Sequence, residues 1–253
     1  MARATEKQLE GLRRRTRRLP PGDPQFIPRE KIQALLDNRL VLRDEAAKID
    51  EGRIISTAEL VERMIRAGFH KATDGGRGLK ASAYRKMWPR TVVWPVSYAG
   101  RFDEILLVDR TIEIPRLIAA SNFYLNVRPD ECKDLVPAPV GKDGKAASRY
   151  IAFVQLGVKN LSRTVEDCRK TFAPDEVGLV TVEGLHLPTE HEAHLRRYVT
   201  EFAGSAHGEM HAPYVGWFGE CHPYFHARGI RDPLLDCGSA SRGSEVIPVP
   251  MAA

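Results

Sequence analysis

Glu104-Ile105-Leu106-Leu107-Val108-Asp109 reads as a strand, an unbroken aliphatic run with a carboxylate at each end. Four further runs share its character. Thr91–Val96, Asn122–Val127, Tyr150–Gln155 and Val177–Val182 are short, rich in β-branched and aromatic residues, and bounded by Gly, Pro, Asn or Asp. Pro95 has no amide hydrogen to give to a ladder, so the first run belongs at a sheet edge. These strands do not alternate regularly with helical patterns. They predict an α+β fold, a mixed or antiparallel sheet with helices on one face, rather than a doubly wound one.

Upstream of the strands the periodicity is helical. Pro28 suits a first helical position, and Ile32, Leu35, Leu36 and Leu40 repeat at three- and four-residue spacing. A second helix is marked by a capping box from Ser56 to Glu59, a stripe of Leu60, Val61, Met64 and Ile65, and Gly68 at the C′ position. Asp74-Gly75-Gly76-Arg77-Gly78 lacks the lysine and hydroxyl of a P-loop and reads as a flexible connection. Gly141-Lys142-Asp143-Gly144-Lys145 reads as a surface turn. A third helix starts at Thr164, with Asp167 at capping distance and Val165, Cys168 and Phe172 on one side. Cys168 is then a small buried hydrophobe, not a nucleophile. The expected organisation is a basic arm and Pro-rich linker over 1–27 and one globular domain over 28–253. That domain is helical over 28–80, sheet-rich over 88–182 and histidine-rich over 183–253.

A chain of 253 residues, 43% hydrophobic and 28% charged, can bury a full core. Its apolar runs fall far short of the roughly 20 residues a bilayer requires, and the charged N-terminus has no apolar segment behind it to make a secretory signal. The 4 cysteines form no C-x-x-C pair and point to reduced thiols in a cytoplasm. The net charge of +5 is carried by the first 31 residues, whose Lys/Arg surplus matches it in full. Two readings of this arm stand: a solvated extension, or a contact through residues 3–18 with a polyanion or an acidic protein. Arg13-Arg14-Arg15-Thr16-Arg17-Arg18 has no interleaved aromatic residue, so base stacking is not indicated.

All but one of the 8 histidines fall between His186 and His226. Pro188-Thr189-Glu190-His191-Glu192 opens what reads as the best-defined helix, with Thr189 as N-cap, Leu195, Tyr198, Val199 and Phe202 as stripe and Gly204 as terminator. On that helix His191 and His194 point inward near the positive end, which favours their neutral, metal-ligating form. Downstream come His207, Glu209 and His211, then Cys221, His222 and His226. Zinc needs three or four such donors. The expectation is therefore a histidine-lined pocket holding zinc or another divalent metal. His191 and His194 are two ligands, and the third comes from His207, His211 or His222. Glu209 is the base for a metal-bound water in a hydrolase-type reaction, and Ser205, Trp217, Cys221, His226 and Arg242 line the pocket, with room for a small-molecule ligand. No known spacing matches: His191-Glu192 meets His194 one residue too early for H-E-x-x-H, and no P-C-x-x-C follows His207-x-Glu209. The competing reading makes the histidines structural, in a non-enzymatic interaction protein whose arm docks on nucleic acid or an acidic partner.

The segments Asp175–Leu187, Ala203-Gly204-Ser205, Pro213-Tyr214-Val215-Gly216-Trp217, His222-Pro223 and Gly238-Ser239-Ala240-Ser241-Arg242-Gly243 resemble the C-terminal half of an uncharacterised bacterial family of domains of unknown function. The resemblance spans roughly residues 150–245. It implies a Gly-Trp pair (Gly216, Trp217), a single histidine (His222) and a Gly-Ser-Ala-Ser turn (Gly238 to Ser241), from which this chain departs by a longer insert and extra histidines. It implies a small-molecule or protein-binding pocket as readily as an enzyme.

Overall fold

The computed structural model describes residues 53–141, 144–218 and 222–249, all within the compact unit that spans 52–253. The basic arm, the helix expected from Pro28 and Cys221 lie outside the described residues. The architecture is α+β. A small antiparallel pair, β1 (Ile54–Ser56) and β2 (Thr91–Val93), stands apart from a mixed sheet of 10 strands. The large sheet contains β3 (Glu104–Asp109), β4 (Tyr124–Leu125), β5 (Cys132–Asp134), β6 (Arg149–Gln155), β7 (Glu176–Gly178), β8 (Val199–Phe202), β9 (Ser205–His207), β10 (His211–Phe218), β11 (His222–Gly229) and β12 (Cys237–Pro248). Its spine runs β3-β6-β12-β8-β10-β11-β4, with β7 on β12 and β9 bridging β10 to β5. Most ladders are antiparallel, while β8 with β12 and β4 with β11 are parallel.

The core sits on β3 and β6. Every residue of β6 is buried, and so is β3 beyond Glu104. Trp94 and Tyr98 pack edge-on against Phe153 of β6, at 5.1 and 5.7 Å between ring centres. Helix Ala58–Arg66 adds Val61 and Met64 to this core and ends with Gly68 in the left-handed region, as its sequence indicates. Its cap differs: Thr57, not Ser56, occupies the N-cap, and the Thr57 hydroxyl bonds the Pro89 carbonyl instead of the helix. Helix Val165–Thr171 is capped as expected, the Thr164 hydroxyl accepting from the Asp167 amide at 3.0 Å, with Cys168 buried. Each buried Leu, Ile, Val, Met or Phe side chain contributes about 1.5–3 kcal/mol relative to exposure.

The loop after Thr73 is not the flexible connection its glycines advertise. Arg149, fully buried on β6, ion-pairs with Asp109 at 3.1 Å and with Asp74, and donates to the hydroxyls of Thr73 and Thr111 at 2.7 and 2.9 Å. Both threonines in turn donate to the Asp109 carboxylate. The Asp74 amide closes the network on the Thr111 hydroxyl at 2.9 Å, so the loop is pinned to the end of β3.

The largest correction concerns residues 187–204. No continuous helix forms there. Two single turns, Leu187–Glu190 and Glu192–Leu195, are separated by the non-helical His191, and Val199–Phe202 is a strand between β12 and β10. Pro188 sits in the first turn, ahead of the expected Thr189 cap. The β-branched and aromatic run Tyr198–Phe202 satisfies a helical period and a strand equally, and ladders on both sides decide for the strand. Gly204 does not terminate a helix; a Cβ there would collide with the Gly178 carbonyl, because the two backbones touch. The run Val177–Val182 likewise splits into β7 and a helical turn over Thr181–Gly184.

Candidate functional site

The sheet scatters the histidines. The ring Nε2 of His191 donates to the Ile105 carbonyl at 2.9 Å, and burial, reinforced by His194 and Arg63, pushes its pKa down to about 4. His194 bonds the Thr200 hydroxyl at 3.2 Å, and its pKa is lowered by burial. His222 pairs with Asn122 at 2.8 Å, and His226 bonds its own neighbour Ala227 while stacking on Tyr214. His207 and His211 are cross-strand partners on β9 and β10, and Cys132 on β5 faces His207 from the other side. His207 reaches Glu131 at 3.5 Å. Glu209 stands exposed at the β9–β10 turn. Among the described residues no group of three His, Cys, Asp or Glu side chains comes together to hold a metal ion.

What does converge is a set of residues from the ends of β3, β5 and the Thr181 turn. A cavity of about 350 Å³ is lined by Arg110, Ile112, Glu113, Ile114, Pro129, Cys132, Asp134, Thr181 and Val182. Arg110 follows β3 directly, where the strand leaves the core and its side chain can reach the rim. Its nearest carboxylate is Asp134, at 3.9 Å, and its Nη1 is shielded from water with no hydrogen-bond partner. An orphaned donor of this kind costs about 1–3 kcal/mol. The Thr181 hydroxyl, on a residue 3% exposed, has the weak Cys132 thiol as its side-chain partner. Both groups stand on the wall of one cavity.

Two of the pocket residues expected from the sequence lie behind this wall. Ser205 is buried and accepts from the Thr181 amide at 2.9 Å while donating to Asp134 at 2.8 Å, so it fixes both groups. Arg242 lines no open pocket and clamps a carboxylate of the protein itself. It donates to Glu183 at 2.6 Å, and the Tyr150 hydroxyl donates to the same oxygen at 2.7 Å. Burial and the adjacent Glu183 drive the Tyr150 pKa well above its usual value. Asp134 is raised by burial and by Glu183, against the opposing pull of Ser205 and Arg110. The Cys132 thiol is pushed up to about 11 by burial, so it is protonated at neutral pH and is no thiolate nucleophile. Trp217 belongs elsewhere, in a separate groove with Arg63 and Arg66.

Sequence reasoning missed Arg110, Cys132, Asp134 and Thr181, which lie in three separated segments with no shared motif. The one available signal was a polar cluster, Asp109-Arg110-Thr111, at the end of the most apolar strand. No family model, curated protein or solved structure matches the chain. Among the described residues no helix is long and apolar enough to cross a membrane.

Proposed function

We propose that the protein binds a small acidic molecule, a carboxylate with a short apolar body, in the cavity between Arg110, Asp134 and Thr181. The observation that carries this reading is the Arg110 guanidinium nitrogen left without an acceptor among the described residues, on the wall of a cavity of about 350 Å³ whose lining also holds the Thr181 hydroxyl, engaged only with the Cys132 thiol. A small rotation of Arg110 onto a ligand oxygen relieves its desolvation cost, and the ligand supplies what the fold withholds. Ile112, Ile114, Pro129 and Val182 furnish the apolar side, which matches the mixed lining of small-molecule sites. Asp134, its proton affinity raised, accepts from Ser205 and is placed to share a proton with a bound acid. The zinc reading, by contrast, finds no ligand set among the described residues, which leave out Cys221.

The test is a thermal-shift series with acetate, butyrate and benzoate at matched ionic strength. Butyrate or benzoate raises Tm more than acetate, and Arg110→Ala and Thr181→Val each remove most of the rise while the variants stay folded. No rise with any of the three, or a rise undiminished in Arg110→Ala, overturns the reading.

A further inference from the structure

The groove that holds Trp217 is a different kind of place. It measures about 340 Å³ and lies between the end of helix Ala58–Arg66, the end of helix Ile114–Ser121, the turn at Pro188–Thr189 and β10. Its polar lining is dominated by donors. Arg63 is held in place at both ends, by Glu59 at 2.5 Å and by the Glu190 carbonyl at 2.7 Å, so its guanidinium is already oriented. Arg66 lines the same groove, is exposed, and among the described residues makes no hydrogen bond or ion pair. The hydroxyls of Ser121 and Thr189 meet at 3.1 Å. The Trp217 indole Nε1 is shielded from water and has no partner.

Charge bookkeeping points the same way. Glu192, the one carboxylate on the lining, is occupied by Arg196 at 2.7 Å, and Arg196 in turn lies over the Trp217 ring at 4.5 Å from its centre. Glu62, the nearest acidic neighbour of Arg66 on its own helix, is taken by Arg85 through two bonds of 2.5 and 3.0 Å. Glu190, the next carboxyl behind the groove, is buried and its pKa is driven well up by desolvation, which favours the neutral acid. Arg66 therefore has no ion pair of its own and feels Glu62 only through space, beside a fixed second guanidinium, two hydroxyls and an orphan indole N–H.

We propose that this groove is a phosphate site, independent of the Arg110 cavity. Arg63 and Arg66 grip the phosphoryl oxygens, and Trp217 and the Ser121–Thr189 pair supply further donors. A phosphate group suits it because the groove offers several donors at different angles to one centre, and a tetrahedral group carrying three free oxygens can accept from all of them. The phosphate can come from the free ion or from a phosphomonoester.

Tryptophan emission tests this locally, because Trp88 and Trp94 are each 3% exposed and Trp217 alone among the described tryptophans is open to a quencher. The full chain is titrated with iodide, an anionic quencher, at constant ionic strength, with and without inorganic phosphate, and Trp217→Phe supplies the background. Phosphate is expected to lower the iodide quenching constant of Trp217 at least twofold while leaving quenching by neutral acrylamide unchanged. Arg66→Gln, a change at an exposed position, is expected to abolish that protection, and Arg110→Ala to leave it intact. Phenyl phosphate separates the sources. Protection at tenfold lower concentration than inorganic phosphate identifies a phosphomonoester whose body contacts the indole, and equal potency identifies recognition of the phosphate alone. Absence of protection by either anion, or equal protection in Arg66→Gln, overturns the proposal.

Discussion

The histidine-rich stretch from His186 to His226 and the wall of the Arg110 cavity are opposites in construction. The first is dense in ligand-type residues along the chain, and its ring nitrogens are largely spent on neighbours: His186 accepts from the Asp109 amide and donates to Val182, and His191 and His194 hold Ile105 and Thr200. The second is sparse in sequence and convergent in space, with a guanidinium nitrogen that has no acceptor among the described residues. Density along a chain becomes a site only when the backbone aims the side chains at one point. Strands prevent that here, since alternate residues face opposite sides and β10 and β11 carry their histidines along the ladder instead of around a centre.

The sharpest way to break this contrast is to attack the support of the cavity. Glu183→Leu leaves Arg242 buried without its carboxylate and Tyr150 without its acceptor. It is expected to cost about 3–5 kcal/mol in urea unfolding. The double variant Glu183→Leu/Arg242→Met is expected to recover most of that loss, because the isolated buried charge is gone. A double variant as unstable as the single one would show that the pair does more than satisfy itself.

Acid sensitivity is the next largest effect. His186 and His191 have pKa values lowered by burial, His191 to about 4, so the unfolded chain takes up protons first as pH falls. The stability this supplies is present above the unfolded histidine value near 6.5 and is lost as pH drops from there toward 4, by a few kcal/mol in sum. Unfolding midpoints measured from pH 7.5 to 4.5 on the native chain and on His191→Phe should diverge at neutral pH and converge at acid pH. Parallel curves would mean that His191 is not held neutral by the fold.

Within the histidine stretch itself the expected costs separate structural from idle residues. His191→Phe removes the donor to Ile105 and should cost about 1–3 kcal/mol at neutral pH. Glu209→Ala and His211→Ala, at the exposed turn and strand end, should stay within about 0.5 kcal/mol. Metal content of the purified, tag-free chain should not change between these variants. Stoichiometric zinc lost on His207→Ala or His211→Ala would reverse the contrast and return the histidine stretch to the centre of the function.

Much of the framework was legible in the residues. The aliphatic run Glu104–Asp109, the run Tyr150–Gln155, the stripe Val61 and Met64 with Gly68 behind it, and the Thr164 cap all form where their local chemistry puts them. In each case the short-range signal and the long-range packing ask for the same conformation. The α+β class followed from the strand runs and their irregular spacing. Tyr198–Phe202 was not legible, because its apolar spacing fits a helix while its β-branched and aromatic residues fit a strand, and only the ladders with β10 and β12 choose. The pinned Thr73 loop was hidden for a related reason: its order comes from Arg149, on a strand far along the chain.

The sequence alone therefore determined the class of fold, the aliphatic heart of the sheet and the Thr164 cap, since these depend on neighbours within a few residues. The tertiary structure decided which polar groups are satisfied and which are left waiting. Whether Arg242 clamps a ligand or Glu183, whether His191 binds a metal or Ile105, and whether Arg110 and Thr181 share a wall depend on distances between residues remote in the chain. A hydrogen bond is gained or lost over less than an ångström, and no local pattern of residue types carries that information.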